Sequence, residues 1–236
     1  MSTPRIHSPF TAPRPASPLD DVLADLRELT GFEEDLIERS QRSSNTAALC
    51  NRILACCLVP PGHPPEAALE RIRGLLVAQR DQALVVLRQR SLGDAVETRV
   101  TCPACQEVNA VHFNLSTLPM HLPQTPLTLS VSTPEGESHH LRLPTAGDQA
   151  DLITADPKTA AQRRTWLLHR CLVSVAGQTG LSLEAVHALP TRTRRALEGA
   201  LSDAVPRFDL TMGMACHKCG HAFDVPFDIA SFFLTS

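Results

Sequence analysis

The chain has 236 residues, of which 43% are apolar, and this is enough to bury a core in one elaborated domain or in two small ones. Its net charge is −3 and it has one Trp and no Tyr, so it lacks the positive charge and the aromatic platforms typical of chains that coat nucleic acid. The sequence has no apolar run of about 18 residues and no signal-peptide core, which argues against membrane insertion and export.

The chain begins with a segment whose composition disfavours a folded structure. Residues 1–18 contain five prolines among serines and threonines, which bury too little apolar area to offset the entropy of ordering. We therefore expect a flexible arm. Apolar residues at helical spacing then predict a short helix over residues 19–29, and a second one after Thr30 and Gly31.

Two further helices are predicted before the chain changes character. Asn45 is a suitable N-cap for a helix over residues 47–59, which the following prolines end. A broad apolar stripe then predicts one long helix from Pro64 to about Ser91. Residues 19–94 are thus expected to form an N-terminal helical bundle.

The most informative motifs are two Cys-x-x-Cys pairs, each between stretches that alternate apolar and polar residues. This alternation is typical of short strands, so each pair is predicted to lie in a strand, turn, strand unit. A two-residue gap lets a tight turn direct both sulfurs at one ion, and four thiolates are what tetrahedral zinc requires. We predict one structural zinc ion per chain, bound by Cys102, Cys105, Cys216 and Cys219.

The spacing of the two pairs leaves alternatives open. Between Cys105 and Cys216 there are 110 residues, whereas a compact zinc ribbon has about 15–20 between its pairs. The entropic cost of closing a loop grows only logarithmically with its length, so a shared site is physically reasonable. The alternatives are free or redox-active cysteines, or two incomplete sites, each completed by a histidine from among His112, His217 and His221.

The segment between the two pairs is predicted to be an insertion of mixed structure. Residues 127–132 and 139–143 alternate around a turn and predict a hairpin, and three helices are predicted after it, at residues 156–176, 182–188 and 191–204. The fold class is therefore α+β: an N-terminal helical bundle, and a small antiparallel zinc-ribbon-like sheet formed by the two distant pairs, with the hairpin and helices inserted between them. The expected divisions are 1–18, 19–94, 95–115 plus 206–236, and 116–205.

The other cysteines have a structural interpretation. They lie on the apolar sides of predicted helices, where a cysteine behaves as a small hydrophobic residue. Without evidence for export, the setting is expected to be reducing, which favours zinc over disulfides. We expect four cysteines in the core: Cys50, Cys56, Cys57 and Cys171.

Two other function classes agree with only part of the sequence. A zinc-ribbon regulator that binds nucleic acid is compatible with the paired motifs and with arginines at 163–164 and 192–195, but the acidic balance argues against it. An enzyme is disfavoured because four cysteines leave a zinc ion no open position, and no catalytic constellation is present. His139 and His140 face opposite sides of a strand, so they cannot easily share an ion.

Several blocks, read in order, carry a resemblance to one family. They are LTGFEEDL at 29–36, RDQALVVLRQRSLGD at 80–94, CPAC at 102–105, LRLPTAGDQ at 141–149, CHKCG at 216–220 and FDIASFF at 227–233. With these blocks the chain resembles the baseplate hub assembly proteins of contractile-tailed bacteriophages and of related extracellular contractile injection systems. The similarity covers roughly residues 20–236.

The resemblance implies a role as well as a family. It implies a non-enzymatic protein that assembles, or forms a minor part of, the baseplate or central hub of a syringe-like contractile particle. Its partners would be other baseplate, hub or tail-assembly proteins, with no small-molecule substrate and no nucleic acid. It would be found in the cytoplasm, where particles assemble, or in the particle itself. Leu36 with Ile37, or Phe232 with Phe233, is a candidate docking patch, although each alone is better explained as core.

Overall fold

The structure is a computed structural model. It describes residues 17–40, 44–119, 122, 127–132, 136–175, 177–208 and 210–226. The predicted arm lies outside them as far as residue 16, and so do Phe232 and Phe233 and most of the turn of the predicted hairpin. Ser17 and Pro18 open the first helix instead of belonging to an arm. The Ser17 hydroxyl accepts a hydrogen bond from the backbone N–H of Asp20 at 3.2 Å, which caps the helix.

The N-terminal part of the fold is helical, as the periodicity predicted, but its described residues form five helices where four were expected. Asn45 is the N-cap that the sequence indicated, because its side-chain oxygen accepts from the backbone N–H of Ala48 at 3.0 Å. The helices are α1 Pro18–Asp25, α2 Gly31–Ser40, α3 Thr46–Cys56, α4 Glu66–Arg73 and α5 Val77–Leu92.

The prediction of one long helix from Pro64 to Ser91 was wrong, because the helix is interrupted between α4 and α5. Leu76 pairs with Thr145 in an isolated antiparallel bridge, and the Leu75 carbonyl accepts from the Ala146 N–H at 2.8 Å. These backbone groups bond a segment about 70 residues away instead of continuing the helix. The apolar stripe gave no sign of this, since both helices bury the same kind of face.

The middle of the chain forms a four-stranded sheet with four helices around it. The predicted hairpin is present, but two further strands extend its sheet, and the four strands lie side by side in chain order. The helix predicted over 156–176 ends at Cys171 and is followed directly by a strand, and the helix over residues 146–155 was not predicted. The elements are β3 Thr128–Ser132, β4 Ser138–Arg142, α6 Ala146–Ala155, α7 Ala160–Cys171, β5 Leu172–Val175, β6 Gln178–Thr179, α8 Leu183–His187 and α9 Thr191–Ala204.

The strands that flank the cysteine pairs form two separate hairpins. Within the described ranges, each is a two-stranded antiparallel sheet, whereas the sequence had suggested one sheet. β1 Ala95–Thr101 pairs with β2 Val108–Asn114, and β7 Thr211–Ala215 pairs with β8 Ala222–Pro226. A 3-10 helix at Leu115–Thr117 follows β2. The fold is thus α+β with small antiparallel sheets.

Two hydrophobic clusters form the interior, and α6 lies where they meet. The first joins α1, α3, α4 and α5 with Val96 and Leu115. The second joins β4, α7, α8 and α9 with Leu76. Helix α6 packs against α3, α4 and α5 as well as α7, and it buries Ala146 and Ala150. Gly147 allows a close approach there, since a Cβ would come within 3.1 Å of the Arg73 carbonyl oxygen and would need a small shift of one helix.

The core prediction for the remaining cysteines is confirmed for three of them. Cys50, Cys57 and Cys171 are buried, whereas Cys56 is half-exposed at the end of α3. Burial raises the pKa of Cys57 and of Cys171 to about 12, so both stay protonated at neutral pH.

A buried carboxylate ties α2 to α3. Glu33 accepts from both terminal nitrogens of Arg27, at 2.9 and 3.1 Å, and from the Thr30 N–H at 2.9 Å. Arg27 also donates to the carbonyls of Val59 and Cys56, each at 2.8 Å. Burial raises the pKa of Glu33, but these hydrogen bonds outweigh it and the net pKa is lowered. The LTGFEEDL block therefore has a structural reason for its Thr and its first Glu.

A second buried carboxylate joins the sheet to α6 and α7. Asp148 accepts two hydrogen bonds from Arg142, at 2.6 and 2.9 Å, and one from Arg170 at 2.9 Å. The Thr145 N–H donates to it as well, at 2.9 Å. Burial acts to raise the pKa of Asp148, but these donors outweigh it and hold the pKa at about 2.

Replacing Asp148 is expected to destabilise the protein in a pH-dependent way. Because its pKa is lower in the fold than in the unfolded chain, its contribution is present above about pH 4 and is lost as pH falls toward 2. The shift corresponds to about 2 kcal/mol, so Asp148→Asn should lower the free energy of unfolding by about 2–3 kcal/mol at pH 7. Urea unfolding between pH 2 and 7 measures both quantities.

The matched control is Asp203→Asn, at an exposed position of α9, which should change stability by less than about 0.5 kcal/mol. If Asp148→Asn kept the wild-type slope of stability between pH 4 and 2, the buried ion pair would not be the source of that slope.

Candidate metal centre

Each cysteine pair is held in a turn with the same backbone hydrogen bonds. In the first turn the Cys102 N–H donates to the Glu107 carbonyl at 2.8 Å, and the Gln106 N–H donates back to the Cys102 carbonyl at 3.0 Å. In the second turn Cys216 donates to His221 at 2.9 Å, and Gly220 donates to Cys216 at 2.9 Å. The two turns are therefore structural copies, 114 residues apart in the chain.

The four sulfurs come together between the two hairpins. The Sγ atoms of Cys102 and Cys219 are 3.8 Å apart, and those of Cys105 and Cys216 are 3.6 Å apart. All four sulfurs lie within 4.8 Å of one another. Sulfurs at the corners of a tetrahedron, each about 2.3 Å from a central zinc ion, would be about 3.8 Å apart. The cluster can therefore hold one metal ion.

The distances also separate this arrangement from a pair of disulfides. A disulfide requires sulfurs about 2.05 Å apart, and all four cysteines are free. Cys102 and Cys216 are buried, Cys105 is half-buried and Cys219 is exposed. The site lies at the surface, and the first cysteine of each pair is directed inward.

Backbone amides favour the charged form of one sulfur in particular. The N–H groups of Cys219 and Lys218 hold the pKa of Cys216 down to about 6, against the effect of burial. The N–H of Glu107 lowers the pKa of Cys105, but hydrogen bonds with the neighbouring sulfurs and burial outweigh it, and the pKa rises to about 12. Four thiolates this close repel one another unless a cation lies among them.

Asn109 links the two turns and was not recognised from the sequence as a site residue. Its side-chain oxygen accepts from the His217 backbone N–H at 3.0 Å and lies 2.8 Å from the His217 Nδ1. Its amide nitrogen donates to the Glu107 carbonyl at 3.1 Å and lies 3.8 Å from the Cys216 sulfur. The sequence did contain one signal for this role. Asn109 lies at an inward-facing position of β2, where the alternation of the strand predicts an apolar residue.

A surface ion pair makes a further link between the two turns. The Lys218 ammonium donates to the Glu107 carboxylate at 2.6 Å. This contact lowers the pKa of Glu107 and raises that of Lys218. The pair is largely exposed, so it contributes little to stability and mainly favours one relative orientation of the turns.

The histidines weighed as ligands do not join the sulfur cluster in the described part of the chain. The His217 ring contacts Asn109, and the His221 ring stacks on Phe223 with centroids 6.1 Å apart. His112 lies on β2, opposite Glu97. On β4, His139 is buried and His140 is exposed, so the two face opposite sides of the sheet as expected.

Comparison with known proteins identifies the family to which the chain belongs. A family model described as T4 bacteriophage base plate protein matches residues 22–234, the bulk of the chain. The chain therefore belongs to the T4 bacteriophage base plate protein family, and the resemblance seen in the sequence blocks is confirmed at this level. Neither the comparison with curated proteins nor that with solved structures gives a match. None of the described helices is long and apolar enough to cross a membrane.

The two turns differ at the residue after the second cysteine, and this difference predicts opposite mutational effects. Gly220 has a φ of +69° and Gln106 a φ of +60°. A residue with a Cβ pays about 1–2 kcal/mol in this region, so Gly220→Ala should lower stability by about 1 kcal/mol and Gln106→Gly should raise it by up to that amount. Thermal and urea unfolding measure the two changes.

Gly199→Ala provides the control, because Gly199 is also in open space but lies within α9. The same chemical change should there stabilise the protein by about 1 kcal/mol. Equal effects of the two Gly→Ala changes would contradict the assignment of the Gly220 effect to backbone conformation.

Proposed function

We propose that this chain is a non-enzymatic structural or assembly protein of the baseplate or central hub of a contractile phage tail or phage-like injection system. Its partners are other baseplate, hub or tail-assembly proteins. Family membership over residues 22–234 is the observation that carries this proposal. We further propose that Cys102, Cys105, Cys216 and Cys219 bind one structural zinc ion, giving a zinc-ribbon-like module from residues 95–115 and 206–236.

The donor set supports zinc. Four cysteines favour a thiophilic ion, and zinc binds four thiolates tetrahedrally without a redox change. The sulfur separations of 3.6 and 3.8 Å agree with the edge of such a tetrahedron. When bound, the ion would offset half of the negative charge of the four thiolates and cross-link the two hairpins.

The same donor set supports a structural role over a catalytic one. Catalytic zinc sites keep a coordination position open for water or substrate, and four protein sulfurs occupy all positions of a tetrahedral shell. The site joins the middle of the chain to its end, so it would close a loop of more than 100 residues that contains the whole inserted sheet and its helices.

The zinc proposal is tested by measuring metal content and stability together. Elemental mass spectrometry of the purified wild type should find one zinc per chain, and none in the variant with Cys→Ser at all four positions. Chelation should lower the melting temperature, because binding free energy is coupled to folding. Cys50→Ser is the control and should keep the metal, since Cys50 lies in the first core. Zinc-free wild-type protein with four titratable thiols at the site would reject the proposal.

The assembly role is tested separately in cells that produce the particle. Without this chain, electron microscopy should show tails that lack complete baseplates, and the wild-type chain should restore them. Complete, contractile particles formed in its absence would contradict an essential role in baseplate formation.

Asn109 is expected to strengthen metal binding without being a ligand. Asn109→Ala removes the acceptor for the His217 N–H and the donor near Cys216, and loss of such outer contacts typically costs about 10–100-fold in metal affinity. Competition with a chromophoric chelator measures the change. Asn114→Ala, at an exposed position of the same hairpin, should leave zinc affinity unchanged. Equal zinc affinities of the two variants would show that Asn109 does not contribute to the site.

A further inference from the structure

We infer that a groove between α7 and α9 docks an acidic segment of another baseplate protein, which inserts apolar side chains between the two helices. This inference rests on the proposed function, because it names a surface through which the chain would contact its partners. The groove has a volume of about 370 Å³. Its apolar lining consists of Pro144, Leu167, Leu168, Leu201 and Val205.

The apolar lining of the groove belongs to the second hydrophobic cluster. Leu168 and Leu201 are buried there, whereas Leu167 and Val205 are only partly buried and remain accessible from the groove. On α9 the lining extends from Glu198 to Val205, which is two helical turns or about 10 Å. A groove of this length takes two or three apolar side chains, as when an amphipathic helix binds in a groove.

The charged residues that line the groove are mainly basic. The Glu198 carboxylate lies 3.8 Å from the guanidinium of Arg164 and 3.7 Å from that of Arg194, so two arginines share one carboxylate. Arg207 donates to the Ser202 hydroxyl at 3.2 Å and has no ion-pair partner among the described residues. The groove therefore presents a net positive charge to a partner.

Arg195 adds a further positive charge on the same side of α9. It lies three residues before Glu198 and seven before Ser202, so the three share one face of the helix. Its side chain is exposed, and within the described ranges it forms no ion pair. Asp203 is exposed and lies about 140° around the helix from Glu198, away from the groove.

The basic character extends over this part of the chain. Residues 157–210 contain eight basic and four acidic residues, a net charge of +4, whereas the whole chain has −3. The positive charge of the groove is therefore a property of this region and contrasts with the rest of the molecule. Such a separation of charge attracts an acidic partner to this face.

These features favour one kind of occupant. Carboxylates of a partner segment would face the arginines of both helices, while its apolar side chains enter between them. Nucleic acid would meet the same arginines, but its phosphates would gain nothing from the apolar lining, and none of the described lining residues offers an aromatic ring for stacking. An acidic protein segment therefore fits the groove better than nucleic acid does.

The test uses purified proteins as probes. The other baseplate and tail proteins of the same particle are added one at a time to the immobilised full-length chain, and affinity is measured between 50 and 300 mM salt. Binding should weaken as salt rises, and Arg195→Glu with Arg207→Glu should weaken it about tenfold or more. Ser202→Trp places a large side chain in the groove and should weaken binding by a similar factor.

Matched controls make the same chemical changes away from the groove. Arg99→Glu with Arg192→Glu alters the net charge equally, at exposed positions of β1 and of another side of α9. Gly199→Trp adds the same ring where α9 faces open space. Both should leave the affinity close to that of the wild type. All substituted positions are exposed, so circular dichroism and melting temperature should confirm that every variant is folded.

The outcomes separate the two proposals. If none of the particle's proteins binds the wild-type chain, the proposed baseplate role fails. If one binds but neither Ser202→Trp nor the arginine reversals weaken it, the role stands and the groove between α7 and α9 is not the docking surface. Binding that Ser202→Trp abolishes but that salt and the arginine reversals leave unchanged would overturn the assignment of an acidic partner.

Two measurements on the chain alone exclude other occupants. A monomer in sedimentation, with no binding of duplex or single-stranded DNA at 150 mM salt, is the expected result. DNA binding that Arg195→Glu with Arg207→Glu abolishes would make nucleic acid the occupant. An oligomer that Ser202→Trp dissociates would make the occupant a second copy of this chain. Either result would overturn the assignment of a baseplate partner to the groove.

Discussion

The position of the middle of the chain relative to its end depends on one contact, the cluster of four cysteine sulfurs between two hairpins. Cys102 and Cys105 lie in a turn of one hairpin, Cys216 and Cys219 in a turn of the other, and within the described residues the hairpins do not share a sheet. Two-stranded hairpins are marginal in isolation, because one face of each has little to pack against. A common metal ion would provide the missing cross-link, and Asn109 already orients one turn against the other through His217.

Buried carboxylates also link separate helices and strands elsewhere in the fold. Glu33 holds α2 to the end of α3 through Arg27, and Asp148 holds the sheet to α6 and α7 through Arg142 and Arg170. Each carboxylate has several donors, so its charge is compensated despite burial and its pKa is lowered. Both carboxylates lie in sequence blocks that carry the resemblance to the family, LTGFEEDL at 29–36 and LRLPTAGDQ at 141–149.

The cysteine site would supply rigidity. A closed thiolate shell constrains the chain and leaves no coordination position open for chemistry, which suits the structural role proposed for this protein.

The sequence by itself determined the local features of this protein. The Asn45 cap, the bounds of α9 and the hairpins around the cysteine pairs follow from capping chemistry and from the period of apolar residues, which act over a few neighbours. The family could also be recognised, because ordered blocks carry that information. Only the tertiary structure decided what depends on distant partners. The break at Leu76 arises from pairing with Thr145, the exposure of Cys56 and Phe32 depends on how α2 and α3 pack, and the role of Asn109 exists only where the second hairpin meets the first. A one-dimensional pattern records which face of an element is apolar, but it does not record which segment covers that face.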